Sequence, residues 1–165
     1  MQTSLAVVLL GCIALASGRC CSEGDADIVI KQWASVMNAA VSGENRVVIG
    51  RQIFNSLFLK QPAAPALFPY GSDLDGAEFG AQMSRVLSGL SNAINSLTDD
   101  DLNVSIMDHL NKQHVVRDGV TAAAMKDMQV SIEDTLKQLV TDYNDDAWHD
   151  CLGVAIERIS VGLPA

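Results

Sequence analysis

From about residue 25 to the C-terminus, apolar side chains return every three or four positions, and no stretch shows the alternation of a half-buried strand. The chain is therefore expected to be all-α. A first helix reads from near Asp25 to about Val41, with Val29, Trp33, Val36 and Ala40 on one face, and Ser42-Gly43 breaks it. A second, roughly Glu44 to Leu59, turns Val47, Phe54 and Phe58 inward; Pro62 and Pro65 then confine the next segment to a short helical turn ending at Phe68. After a loop over Pro69 to Asp75, a helix from about Gly76 to Leu97 aligns Phe79, Gln82, Val86, Gly89 and Ala93. Thr98 with Asp101 makes an acidic variant of the capping box for a helix that aligns Ile106, Leu110 and His114, and Gly119 ends it. Two longer helices follow: about Val120 to Tyr143, with Met125, Met128, Ile132 and Leu139 inward, and Asn144 to Val161, with Asn144 as N-cap. Six or seven helices in 165 residues, with no internal repeat, suit one domain.

Residues 1–18 break from this pattern. They carry no charged side chain, run apolar from Leu5 through Ala16 and end in small residues, which suits signal peptidase. A membrane anchor is the alternative, but a span of about twelve residues is short of the roughly twenty that a bilayer needs. Cleavage at Gly18, or a residue or two earlier, would leave residues 19–165 as a secreted domain. In an oxidising compartment thiols pair. Cys12 leaves with the signal, and the three that remain, Cys20, Cys21 and Cys151, imply one bond within the chain and one cysteine for a partner chain. A formal net charge of −9 excludes nucleic acid and anionic membrane as natural partners, since both need a basic surface.

Three histidines with no pair at helical spacing, and no cysteine cluster of zinc type, leave a protein-only metal site poorly supported. A single axial ligand to a cofactor's metal remains open. His114 closes the stripe Ile106, Leu110, His114, so its imidazole leaves the helix on the buried side, where a neutral nitrogen could bind iron. Taken alone, a histidine on an apolar face is more often a hydrogen-bonded core residue. His109, five residues earlier, points elsewhere round the helix, and His149 is expected to be exposed. Gln82 is the one polar member of its stripe, and a buried amide needs a partner. It could bond a nearby carbonyl, or donate to a dioxygen ligand; one such bond is worth about 1–3 kcal/mol. Asn103-Val104-Ser105 is a glycosylation sequon within a helix. Asp99-Asp100-Asp101 lacks the rest of a calcium loop and is better explained by the positive end of the helix dipole.

The stretches Ile53-Phe54-Asn55-Ser56-Leu57-Phe58, Leu67-Phe68, Glu78-Phe79-Gly80-Ala81-Gln82-Met83-Ser84-Arg85-Val86, His109-Leu110-Asn111-Lys112-Gln113-His114 and Ala147-Trp148-His149-Asp150-Cys151 resemble, in order and spacing, the globin chains of annelid giant extracellular haemoglobins. The resemblance implies a globin fold of about seven or eight helices around a pocket for haem b (iron protoporphyrin IX). His114 matches the proximal iron ligand and Gln82 the distal position, usually histidine. Phe68 matches the phenylalanine that wedges against the porphyrin, Val86 and Phe54 two distal pocket positions, and Leu110 the residue one turn before the proximal histidine. Arg85 and Arg117 match basic residues that reach haem propionates, although both would also suit a solvated surface. The resemblance also implies a Cys21–Cys151 bond within the chain and a bond from Cys20 to a sister globin chain, with non-globin linker chains as further partners. On the chain-entropy model, closing a loop of this length stabilises by about 5 kcal/mol.

The implied function is reversible dioxygen carriage. A haem peroxidase or nitric oxide dioxygenase on the same fold would want a distal acid–base group, which Gln82 is not. A haem-free structural subunit is the third reading, and His114 together with Phe68 argues against it. Sulfide carriage gains little, because all three cysteines match bonded positions.

Overall fold

The computed structural model describes residues 21–165, and its helices begin where short polar side chains can hold the first free N–H groups. They are α1 (Glu23–Ala39), α2 (Gly43–Lys60), a 3-10 turn (Ala64–Leu67), α3 (Ala77–Asn95), α4 (Asp100–Val115), α5 (Ala122–Leu139) and α6 (Asp145–Ile159), with no strand among the described residues. Ser22, Ser42, Asp99, Thr121 and Asn144 each accept a hydrogen bond from the backbone N–H three residues on, opening α1, α2, α4, α5 and α6. Such a cap is worth about 1 kcal/mol. The all-α expectation holds, and the expected helix boundaries fall within a few residues of those observed.

Two details differ. The cap of α4 is Asp99, whose backbone is extended and whose Oδ1 accepts from Leu102 N at 3.0 Å, where Thr98 was expected. Leu139, expected inward, is 42% exposed, whereas Leu136 is fully buried. Leu139 is the last residue of α5 and lines a surface groove with Val36, Val48 and Ile49 that leaves it open to solvent, whereas the next residue, Val140, is buried in the core. Six α-helices and a 3-10 turn fall slightly below the expected seven or eight helices, because residues 68–76 form successive turns instead of a further helix. Gly71 there takes φ 61°, a left-handed conformation that favours glycine. The segment expected to be a signal peptide, and Cys20, lie outside the described residues.

Packing divides into three apolar clusters. The largest joins α1, α2, α3, α5 and α6 around Trp33 and Trp148, both about fully buried and set edge to face with centroids 6.4 Å apart. Their ring N–H groups are satisfied: Trp33 Nε1 donates to Ser91 Oγ at 3.1 Å and Trp148 Nε1 to Gln32 Oε1 at 2.7 Å. Beside them Cys21 and Cys151 form the disulfide, tying the start of α1 to α6. A second cluster joins α4, α5 and α6 through Met107, Met125, Ala155 and Ile159. The third is aromatic, with Phe54, Phe58, Phe68, Tyr70 and Phe79 brought together by α2, α3 and the loop between them.

Close approach of α2 and α3 depends on Gly50: a Cβ there would lie 2.5 Å from Met83 Cβ, inside any tolerable contact. That crossing sets the spacing between α3 and the aromatic cluster. At the sequon, Asn103 Nδ2 donates to Ser96 Oγ at 2.9 Å and its Oδ1 accepts from Arg158 Nη1 at 3.2 Å, so the amide ties the α3–α4 corner to α6.

Candidate functional site

Between the aromatic cluster and α4 the packing opens into a cavity of about 420 Å³, a size suited to an organic cofactor. Its apolar wall combines Phe54, Leu57, Phe68, Val86, Met125 and Met128; His114, Gln82, Tyr70, Arg85 and Arg117 supply its polar groups. An inner apolar space of about 130 Å³ shares Val86, His114, Met125 and Met128 and is lined further by Leu110, Ile132 and Ile156. The structure thus brings together Phe54, Phe68, Gln82, Arg85, Val86, Leu110, His114 and Arg117, drawn from four separate stretches of sequence.

His114 lies in the last turn of α4. Its Nδ1 is 2.7 Å from the carbonyl oxygen of Leu110. A carbonyl only accepts, so Nδ1 holds the ring proton and Nε2 is left with a lone pair, the tautomer that binds a metal. Burial is the main cause that holds the imidazole's pKa below its ordinary value; the Leu110 hydrogen bond opposes this and the positive charge of Arg117 adds to it. The ring is therefore neutral at physiological pH. His109 instead meets Gln113 at 2.9 Å on the exposed face, and His149 is half exposed with Nδ1 3.4 Å from the buried Glu133 carboxylate. Asn111, three residues before His114, donates to the carbonyls of Ile159 and Val161, both at 2.8 Å, and so fixes α4 to the end of α6.

Gln82 reaches the same cavity from α3. Its Oε1 accepts from Tyr70 Oη at 3.1 Å and from Arg85 Nε and Nη2 at 3.3 and 3.0 Å. Arg85, expected to reach a cofactor's carboxylates or to lie in solvent, is exposed and bonds the neighbouring amide. Tyr70 was not foreseen. It lies in the loop before α3, where no helical period marks a residue as inward; an aromatic side chain in an otherwise polar turn was the one available signal. Its ring is held by Phe79, with centroids 5.2 Å apart, and stacks on Phe68 at 6.3 Å.

Phe68 follows the 3-10 turn and projects into the cavity among Phe54, Phe58 and Phe79, with centroid distances of 5.4, 6.1 and 5.2 Å. Gly119, at φ 83°, turns the chain between α4 and α5 next to Leu67, where a Cβ would come within 2.8 Å of Leu67 Cδ2. Among the described residues no group of three His, Cys, Asp or Glu side chains could hold a metal ion, the Asp99–Asp101 run included. No helix among them is long and apolar enough to cross a membrane.

The family model described as Globin matches residues 51–159. Extracellular globin-3 of Lumbricus terrestris is 36% identical to the chain, over 98% of this chain and 94% of its own length. Extracellular globin-4 of the same worm is 32% identical, over 88% and 97%. Among solved structures, a hexacoordinated heme protein from an anhydrobiotic tardigrade superposes with a TM-score of 0.72, covering 86% of this chain and 94% of that one at 16% identity. That last likeness concerns the fold alone.

Proposed function

The chain belongs to the globin family, and from that premise we propose that it is a secreted carrier that binds dioxygen reversibly at haem b held by His114. Haem supplies a ferrous iron with one position open to a diatomic gas. The residues present fit that group: the cavity is large and mostly apolar, its one histidine is neutral with Nε2 free of any hydrogen bond among the described residues, and Arg85 and Arg117 line it with positive charge that suits carboxylates. The single observation that carries the reading is the His114 tautomer, fixed by the Leu110 carbonyl inside that cavity.

Each side chain then has a task. His114 Nε2 would hold the iron, Phe68 and Leu110 would pack against the macrocycle, and Arg117 would meet a propionate. Val86 and Phe54 would limit the room for a bound gas, and Gln82 would offer it an amide N–H. Among the described residues the only histidine lining the cavity is His114, taken up by the iron in this reading, and no carboxylate lines it to shuttle peroxide protons beside Gln82, which favours a carrier over a peroxidase or dioxygenase.

The likeness to extracellular globins supports export. In this reading residues 1–18 are the cleaved signal peptide and residues 19–165 the mature domain. Cys20 bonds a sister globin chain, with linker chains joining the larger assembly. The Cys21–Cys151 bond leaves Cys20 as the cysteine available to another chain.

The test is a visible absorption spectrum of the reduced protein, recorded without oxygen and then with it. The carrier reading expects a Soret band that shifts on oxygenation and returns on deoxygenation. A protein that takes up no haem, or whose haem oxidises in a single turnover, contradicts it. Stopped-flow peroxide turnover orders of magnitude above that of an oxygen-carrying globin would instead favour the enzyme.

A further inference from the structure

The amide of Gln82 has two ends, and the structure fixes which end faces which neighbour. Arg85 can only donate, since a guanidinium carries no acceptor. With Arg85 Nε and Nη2 at 3.3 and 3.0 Å from one amide atom of Gln82, that atom must be the oxygen. Tyr70 Oη donates to the same oxygen at 3.1 Å, and Arg85 Nη2 in turn stands 3.4 Å from Tyr70 Oη. The triangle closes on itself. The Gln82 carbonyl is thereby fully engaged, while its NH₂ makes no hydrogen bond among the described residues, in a side chain that lines the cavity.

Resting on the carrier reading above, we propose that Tyr70 and Arg85 are positioning residues that set the gas affinity by holding Gln82 with its NH₂ presented to the cavity. Two effects follow from the geometry. A free glutamine side chain exchanges among rotamers and flips its amide end for end, so that in half of its orientations an oxygen would face the ligand and repel its negative charge. Held from behind, it presents a donor throughout. Two donors on the carbonyl also polarise the amide and strengthen its N–H groups as donors. The two supports differ in strength. Tyr70 is half-buried and clamped between Phe68 and Phe79, whereas Arg85 is exposed and its contribution is weakened by water. Tyr70 therefore carries the larger share.

The closing experiment compares wild type with Tyr70→Phe, Arg85→Met and Gln82→Leu. Tyr70→Phe keeps the ring and its packing, so folding is preserved. In the apoprotein, ¹⁵N-edited spectra are expected to show the two Gln82 side-chain amide proton resonances displaced from the values of a free glutamine, and the displacement is expected to shrink in Tyr70→Phe. In the ferrous protein, Tyr70→Phe is expected to raise the dioxygen dissociation rate several-fold, roughly threefold to tenfold from the worth of one hydrogen bond. It should also move the stretching frequency of bound carbon monoxide upward, toward the Gln82→Leu value, a shift that a merely structural role would not produce. Arg85→Met should do the same to a smaller degree. In the Gln82→Leu background, Tyr70→Phe should change neither the rate nor the frequency. The inference is overturned if Tyr70→Phe matches wild type in all three measurements, or if its effect persists undiminished without Gln82. Failure of the carrier reading itself shows differently, as absence of a Soret band in wild type, and leaves the apoprotein spectra to report on the triangle.

Discussion

The two ends of the helical assembly are built on opposite terms. Around Trp33 and Trp148, with the disulfide beside them, the side chains are about fully buried and both ring N–H groups have partners. Around His114 and Gln82 the packing leaves a cavity, and the Nε2 atoms of both residues have no partner among the described residues. The first end resembles the interior of any stable domain. The second keeps unmet hydrogen-bonding and ligating capacity at a cost in stability, which is the mark of a site for something else. Truncation at the closed end should therefore lower stability, and truncation at the open end should change ligand behaviour.

The largest expected effect on stability is at Trp148, which is buried against Trp33, stacked on Tyr143 with centroids 5.8 Å apart and bonded to Gln32. Trp148→Ala should cost about 3–5 kcal/mol, read as a fall in the urea midpoint. A loss under about 1 kcal/mol would contradict the idea that this end is the stable one. Removing the Cys21–Cys151 bond with Cys151→Ser should cost about 2–4 kcal/mol, measured in the same way. Val86→Ala sharpens the contrast from the other side: it faces the cavity and should cost about 1 kcal/mol or less, yet speed gas association, as flash photolysis would show.

How much of this was legible in the chain follows from where the information lies. Apolar spacing marked every helix and placed Phe54, Gln82, Val86, Leu110 and His114 on inward faces, because those positions are repeated and local. The N-cap of α4 was misread by one residue, since Thr98 and the three aspartates after it offer several short acceptors in a row and local pattern does not choose among them. Leu139 fits the period of its helix, but it borders a surface groove that nothing among the described residues fills, while Val140 beside it takes the core position. Tyr70 was missed because loops carry no period. The Tyr70–Gln82–Arg85 triangle and the Asn111 bonds to α6 are products of tertiary contact, with no sequence signature of their own.

The smallest effect concerns Tyr143, at the closed end. Its hydroxyl is buried without a hydrogen-bond partner, and burial, reinforced by the negative charges of Glu133, Asp145 and Asp134, pushes its pKa well above the ordinary 10.0. The unfolded chain releases this proton near pH 10 while the folded protein keeps it, so folding stability contributed here is present below pH 10 and lost as pH rises above it. Tyr143→Phe should leave stability at neutral pH unchanged or slightly higher and flatten the alkaline decline. Chemical denaturation between pH 8 and 11 reads both; an unchanged alkaline slope would show that the hydroxyl is not the titrating group.

The most direct test of the central claim is the absorption spectrum of ferrous His114→Gly, recorded with and without added imidazole. If His114 Nε2 is the axial ligand, the variant should bind haem weakly or with a displaced Soret band, and imidazole diffusing into the vacated space should restore the wild-type spectrum. A variant that holds haem with an unaltered spectrum, indifferent to imidazole, would contradict the account.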